Sequence, residues 1–554
     1  MSVFSKVPTP KHSVSNYRLK PVNTMSFDFG GIFPIFCKTV LPTDKWSMVL
    51  QSFLRTMPLM SPVLHRNDIK VDAFFVPFRL IWKSAEAWLE CDTSIQVPKI
   101  YLTHSANFNF MFGPGSLYDY FNFGSPKYSD LQSLEITVSD FKRNMLPLRA
   151  YRFIYDYYYR NKSVEPEITD VIPDFYGDDD YYFGAYNAYL DMLGIQYRSW
   201  RRDLFTSALP VPQTGADILI PSDLTGTATG LSIVGDNTLK VSRPSEESRH
   251  DIFVPAESKI LNISGSPTDT GENLVYRGGL KITGDRVNLR NQATIRQLRY
   301  AEFLEKYEEA MARAGFGDIP GYGRGKFKEW LKGIWNSRSS DARLDRPEYL
   351  GGYRGPIQIS EIPQTSVSTA QSPQGNLAGK GLSVGGNRLF RNRYFEEPGV
   401  MMVLCSVVPK SAYCQGDPRE WLYESGFDFP NPYFDHLGEQ EVKAEEINCL
   451  AKFFPDEVQQ TFGYNIRNYE MKDFPDEIHG ALRDDLAFWH EGRMFDWDDF
   501  PGLNAEFLKI KPADVSRIFP STETSNKLVA QHYFDIKLRR SLSYSGLPRE
   551  ETTH

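Results

Sequence analysis

Two prolines one residue apart, Pro210 and Pro212, close the run from Tyr197 to Gly215 (Y-R-S-W-R-R-D-L-F-T-S-A-L-P-V-P-Q-T-G). Each proline fixes its own φ and drives the residue before it to extended backbone, so this end of the run is a rigid corner and not a helix. Upstream of the prolines, Arg198, Arg201 and Arg202 are interleaved with Trp200, Leu204 and Phe205. Downstream, the composition turns rich in Thr, Gly and Ser and poor in aromatics until about Asp285. A stiff corner feeding a long polar excursion predicts a scaffold that projects a surface segment. Insertions of this length are functional or mobile elements.

The rest of the chain reads as scattered strands with helices between distant ones. Ile35–Leu41 predicts a short strand. Asp44 is placed to cap a helix running to about Met57, with Trp46, Val49/Leu50 and Phe53/Leu54 on one face and Pro58 as its stop. Asp68–Phe75 alternates, with Ile69, Val71, Ala73 and Phe75 on one face and Lys70 and Asp72 on the other, which predicts a half-buried strand ended by Pro77. Leu148–Arg160 predicts a helix whose tyrosines (Tyr151, Tyr155, Tyr158, Tyr159) form a packing face in preference to a base-stacking platform. Within 217–287, short β islands are expected at Ile218–Ile220, Leu231–Val234, Ile252–Val254, Ile260–Ile263 and Leu280–Ile282. A capping box at Thr294 and Gln297 opens a predicted helix to Gly315, and Phe327–Trp335 predicts a second. Val400–Val408 is apolar at every position but Ser406, the signature of a strand buried on both faces. Ala530, His532, Phe534, Ile536 and Leu538 share one face of a final alternating strand. Sequential βα alternation is absent, which argues against a doubly wound sheet and for an antiparallel sandwich or barrel with long connections.

Charge and cysteine usage narrow the classes further. The net charge of −8 does not mark a nucleic-acid protein, yet Lys6, Lys11, Arg18 and Lys20 precede the first acidic residue, Asp28. A basic arm on an acidic protein is a candidate polyanion contact, against the plainer reading of a frayed soluble terminus. The five cysteines are widely spaced without a CxxC, so neither a zinc site nor a disulfide framework is expected. No apolar signal region is visible and no apolar run is long enough to span a bilayer, so a soluble protein of a reducing cytoplasm is expected.

Chemistry-bearing motifs are isolated. Gly381-Leu382-Ser383-Val384-Gly385 matches the G-x-S-x-G pattern, but that chemistry needs a strand-to-helix elbow, and no helix start follows directly. Trp489-His490-Glu491 lacks the second histidine of a zincin helix. The acidic clusters Asp178-Asp179-Asp180 and Asp496/Asp498/Asp499 lack EF-hand spacing and read as solvated loops. No catalytic constellation, metal site or cofactor site is expected.

The corner itself, with Arg202-Asp203-Leu204-Phe205-Thr206-Ser207-Ala208-Leu209-Pro210, Pro212 and Gln213, resembles the signature of Microviridae major capsid proteins, most of all their gokushovirus-type branch. Further ordered blocks carry the resemblance over most of the chain: Val40-Leu41-Pro42 through Phe74-Phe75-Val76-Pro77-Phe78-Arg79, Arg346-Pro347-Glu348-Tyr349-Leu350-Gly351-Gly352, Gln374-Gly375-Asn376-Leu377-Ala378-Gly379, Phe462-Gly463-Tyr464 and Trp489-His490. The sequence departs from the family at Phe27-Asp28-Phe29-Gly30 and at the Gly321–Lys326 linker. The resemblance implies a mainly β protein, an eight-stranded antiparallel jelly roll with long loop and helical insertions. In it residues 36–216 and 288–554 form the core, 1–35 an extended basic arm and 217–287 a surface protrusion. It further implies a structural protein and not an enzyme, many copies of which form a small icosahedral shell around circular single-stranded DNA. Partners implied are a small basic internal DNA-binding protein, a minor spike or pilot protein, and a host receptor met by the insertion. The virion is its implied place, with assembly in the bacterial cytoplasm.

On this reading Lys6, Lys11, Arg18 and Lys20 are expected to face DNA phosphate, and Trp200, Arg201, Arg202, Phe205, Trp335, Tyr349 and Tyr353 to lie at subunit interfaces, where aromatics and arginine dominate. The rival class is a carbohydrate-active β-sandwich enzyme or carbohydrate-binding protein using carboxylates among Asp496, Asp498 and Asp499.

Overall fold

A computed structural model describes residues 14–89, 94–184, 189–211, 345–363, 377–395, 397–424, 426, 428–432, 438–453, 461–495, 502–520, 526–540 and 542, with short strands between 231 and 290. The chain divides into two compact units, Gly215–Ala314 and the remainder.

Nine strands of the larger unit make one antiparallel sheet: β1 (Ser15–Leu19), β2 (Val22–Phe27), β3 (Phe33–Val40), β4 (Lys45–Thr56), β5 (Asn67–Pro77), β6 (Glu348–Pro363), β7 (Leu377–Tyr394), β8 (Gly399–Pro409) and β9 (Leu528–Arg540). β1 and β2 lie end to end along one edge of β9, opposite Ile536–Arg540 and Leu528–Tyr533. Eight strand positions result, in the order β1/β2-β9-β4-β7-β6-β5-β8-β3. β6 serves two neighbours in turn: Glu348–Ile357 pairs with β5 and Gln358–Pro363 with β7. The sheet therefore folds over along β6 into two leaves of four, β1/β2-β9-β4-β7 and β6-β5-β8-β3. From β2 to β5 the chain alternates between leaves, and after the β6–β7 hairpin it alternates again through β8 and β9. That is the winding of a jelly roll, as expected.

Alternation along each strand fills the space between the leaves. Trp46, Met48, Leu50 and Leu54 of β4, Ile69, Val71, Ala73 and Phe75 of β5, Met401, Val403, Cys405 and Val407 of β8, and Leu528, Ala530, Phe534, Ile536 and Leu538 of β9 form one cluster. Each large apolar side chain among them, once removed from water, contributes on the order of 1.5–3 kcal/mol. β8 is buried at all of its positions because its other face is covered too. Val400, Met402 and Leu404 join Phe74 and Val76 against a helical layer supplied by the connection between β5 and β6.

That layer is organised by the Leu146–Ile154 helix, which continues as a π-helical turn over Tyr155–Tyr159. Its tyrosine stripe is a packing face, as its spacing predicts, and each hydroxyl reaches a partner. Tyr151 donates to the Ile32 carbonyl (2.8 Å), Tyr155 to Glu165 (2.9 Å), Tyr158 to the Pro347 carbonyl (2.8 Å) and Tyr159 to Asp72 (2.8 Å).

The expected Asp44-capped helix is overturned: Lys45–Thr56 is strand β4. Its apolar residues satisfy either period, and tertiary pairing on both edges, with β9 and β7, selects the extended one. Asp44 does different work. Its fully buried carboxylate accepts from the Leu41 amide (3.0 Å), the Trp46 indole (3.0 Å) and Arg540 (2.6 Å), tying the start of β4 to the end of β9.

In the smaller unit, Thr238–Ser242 pairs with Arg249–Phe253 and with Lys281–Ile282, and Leu231–Val234 pairs with Ile260–Leu261 and with Asn288–Arg290, all antiparallel. The Leu231–Val234 island is thus a strand, and so is Thr238–Ser242, whose Leu239 and Val241 alternate with polar residues. Ile218–Ile220 and the two helices expected over 294–335 lie outside the described residues.

Candidate functional site

The Tyr197–Val211 corner is a seam among three distant parts of the chain. Arg198 donates its amide to Gly30 (2.7 Å), Trp200 donates to Leu508 (2.9 Å), and Leu209 and Tyr464 exchange two backbone hydrogen bonds (2.7 and 2.8 Å). Its turn is held by Asp203. One carboxylate oxygen accepts from the amides of Phe205 (3.0 Å) and Thr206 (2.8 Å) and the Thr206 hydroxyl (3.0 Å); the other accepts from Ser411 (2.6 Å) and Tyr413 (2.9 Å). Five donors on one buried carboxylate explain why Arg-Asp-Leu-Phe-Thr-Ser reads as a fixed unit: Asp203 builds an Asx-type turn and anchors it to the strand exit after β8.

The aromatic residues of the corner serve the interior. Trp200 and Phe205 are each 3% exposed. Arg493 lies over the Trp200 ring at 5.0 Å, and Phe205 packs edge-on against Tyr413 at 4.7 Å. As contacts to a neighbouring subunit, both expectations fail for one reason: their ring faces are already occupied within the chain. Arg201 and Arg202 are exposed, and Tyr349 is 49% exposed with its ring against Phe74. Tyr353 is half-buried, packed against the sandwich interior. Trp335 lies outside the described residues, as do Lys6 and Lys11. Arg18 sits in β1 in a two-point ion pair with Asp535 (2.9 and 2.8 Å), and Lys20 is exposed beside it.

The isolated motifs resolve structurally. Ser383 lies in mid-strand β7 and donates to the Pro356 carbonyl at 2.9 Å. The glycines flanking it are required because neighbours lie over them: Thr56 and Ile357 over Gly381, and the Tyr353 ring over Gly385. Asp178 and Asp180 accept the Ser84 (3.1 Å) and Lys99 (2.8 Å) amides. Asp496, Asp498 and Asp499 lie outside the described residues.

Where the outward-facing side of β5, β6 and β8 emerges from under the helical layer, it becomes charged. A cleft of about 110 Å³ opens there, lined by Arg66, Asp68, Lys70, Arg201, Arg354, Val408, Pro409 and Lys410. Asp68 accepts from both Arg66 (3.2 Å) and Arg354 (3.0 Å), and Lys410 pairs with Asp476. Arg198, behind the cleft, is taken by Asp72 (3.1 Å) and Ser406 (3.0 Å). Lys70 stands directly opposite Arg354 in the β5–β6 register. Burial, then the Arg198 and Arg354 guanidiniums, hold its ammonium down to about 8. No local pattern announces this cluster, whose members come from four separate segments.

Comparison with known proteins bears on the whole chain. Residues 5–549 match the model of the phage capsid protein (F protein) family. The chain is 28% identical to the capsid protein VP1 of Bdellovibrio phage phiMH2K and 27% identical to that of Chlamydia phage 1, in both cases over 98% of this chain and 97% of the relative. It is 26% identical to the capsid protein VP1 of Spiroplasma virus 4 over 90% of this chain and 88% of the relative. A jelly roll, a corner motif with a structural explanation and a family match spanning nearly every residue lead to one assignment: this chain belongs to the phage capsid protein (F protein) family, as its resemblance to the Microviridae capsid proteins implies.

Proposed function

We propose that the chain self-assembles into a small icosahedral shell that packages circular single-stranded DNA, with residues 217–287 raised as an outer protrusion that contacts the host cell. The family match carries this reading. The surface supports it. Trp421 (79% exposed), Phe429 (66%), Phe453 (72%) and Phe474 (75%) all fall in the connection between β8 and β9. Exposed large aromatics in that number suit subunit contacts of about 1,200–2,000 Å² each, and they take the anchoring role first expected of Trp200 and Phe205. Arg202, Tyr349 and Tyr353 remain in the proposed interface set, while Arg201 lines the cleft described above.

The basic arm is placed toward the genome, with Lys6, Lys11, Arg18 and Lys20 on phosphate, alongside a small basic internal protein; a minor spike or pilot protein completes the particle. The virion is the site of action, and assembly proceeds in the bacterial cytoplasm. Negative-stain microscopy and sedimentation of the purified chain test the reading: closed particles are expected, and a monomer that hydrolyses or retains glycans would replace it with the carbohydrate-active alternative. Deleting 220–285 is expected to abolish host attachment and spare assembly.

A further inference from the structure

We propose that the cleft between Lys70, Arg201 and Arg354 is a phosphate-binding site, filled in the particle by the sugar-phosphate backbone of the packaged strand. The inference rests on the packaging function proposed above and adds a location to it. Five cations line the cleft or its rim, against the carboxylates of Asp68 and Asp476, which leaves a surplus of three positive charges in a space of about 110 Å³. Among the described residues the Lys70 ammonium and the Arg201 guanidinium make no side-chain hydrogen bond or ion pair. Their donors are uncommitted and converge on one concavity.

The register makes the arrangement costly without a ligand. Lys70 is fixed by the β5–β6 ladder directly across from Arg354, and like charges in that position oppose pairing. On its other side the β5–β8 ladder sets Ser406, whose hydroxyl already holds Arg198. A half-buried ammonium thus faces guanidinium groups on two sides, with its opposing carboxylates engaged elsewhere. An anion with several acceptor oxygens removes the repulsion and accepts from the lysine and the arginine fork together, which is phosphate chemistry. Backbone recognition of this kind carries no base preference.

The test uses the full chain and two variants, Lys70→Met and Arg201→Gln, with two probes: inorganic phosphate, read by thermal melting against sodium chloride at equal ionic strength, and a fluorescein-labelled oligothymidylate, read by anisotropy across a salt series. Phosphate is expected to raise the melting temperature of the wild type and of neither variant. Without phosphate, K70M is expected to melt at or above the wild type, because repulsion has been removed; a merely structural lysine would give the opposite. Oligothymidylate affinity is expected to fall about tenfold in each variant, and the salt slope to fall by about 0.7 for each phosphate no longer neutralised. Phosphate protection abolished with oligothymidylate binding unchanged would keep the site and assign it to free phosphate. Protection and binding both unchanged in both variants overturn the site while leaving packaging intact. A wild type that shows phosphate protection and no affinity for oligothymidylate overturns packaging while leaving the site intact.

Discussion

Replacing Glu491 with Gln should leave the protein's stability unchanged in acid and raise it in base. Glu491 is 1% exposed, and Asn67 donates to one of its carboxyl oxygens at 2.8 Å. Its other oxygen and the Asn67 side-chain carbonyl are both buried, and neither has a hydrogen-bond partner among the described residues. A proton on Glu491 satisfies both at once, turning the pair into a cyclic acid–amide contact. Burial raises the Glu491 pKa from 4.5 to about 7, against smaller opposing effects from the Asn67 hydrogen bond and the Arg517 charge. Because the folded value lies above the unfolded one, the folded chain holds a proton that the unfolded chain gives up. The stabilisation is complete below about pH 4.5 and is lost as pH rises through about 7. A displacement of about 2.5 units corresponds to about 3 kcal/mol, at about 1.4 kcal/mol per unit. Gln keeps the two-point pairing with Asn67 at every pH. The E491Q chain should therefore come within about 1 kcal/mol of the wild type near pH 5 and exceed it by about 3 kcal/mol near pH 8.5. For 554 residues, at about 2.1 cal/mol/K per residue, that is a melting difference of about 2–3 °C. Calorimetry of both chains across pH 4.5–9 reads it, and titrations common to the two cancel in the difference. A difference that stays flat with pH would refute the protonated pair.

Arg540→Met leaves the Asp44 carboxylate buried without its cation and should cost about 3–5 kcal/mol, seen as a lower urea midpoint. Asp203→Ala strands the buried Ser411 and Tyr413 hydroxyls along with two backbone amides, so a loss of at least about 3 kcal/mol and a collapse in soluble yield are expected. In the arm, Lys6→Gln, Lys11→Gln and Lys20→Gln together should lower the salt slope of single-strand binding by about 2. Arg18→Gln should lower it by less than a single lysine does, because Asp535 already holds that charge; equal effects would show the pair opening on DNA.

What could be read from the chain alone follows from how local each signal is. β8 was legible because apolar residues at both parities leave only a strand covered on two faces, and the Tyr151–Tyr159 stripe because its spacing admits one packed face. β4 was not. Trp46, Val49/Leu50 and Phe53/Leu54 suit a helix as well as Trp46, Met48, Leu50 and Leu54 suit a strand, and Ser52 on the inner face speaks against the latter. Its partner is His532, whose ring nitrogen meets the Ser52 hydroxyl at 3.0 Å from 480 positions away. Burial lowers that histidine to about 4, so the pair is neutral and tolerable in an apolar core. Trp200 and Phe205 were misplaced for a similar reason: arginine beside aromatics looks alike in an interface and in a core, and Arg493 and Tyr413, which decide the matter, lie more than two hundred positions downstream. The basic cleft left no local trace, since strand register assembles it from residues 66 to 410.

β6 belongs to both leaves, and this imposes a rule of parity on the gene. Its residues before Gln358 set which side chains face inward against β5, and those after set the same against β7. One codon added or removed near that junction would keep one leaf right side out and turn the adjoining segment of the other inside out. Length variation within β6 is therefore expected in pairs of residues unless a bulge absorbs the odd one, as Leu350 does against β5. A library of single-codon insertions scanned through this region should show an odd–even rhythm of viable lengths that starts and stops with the strand.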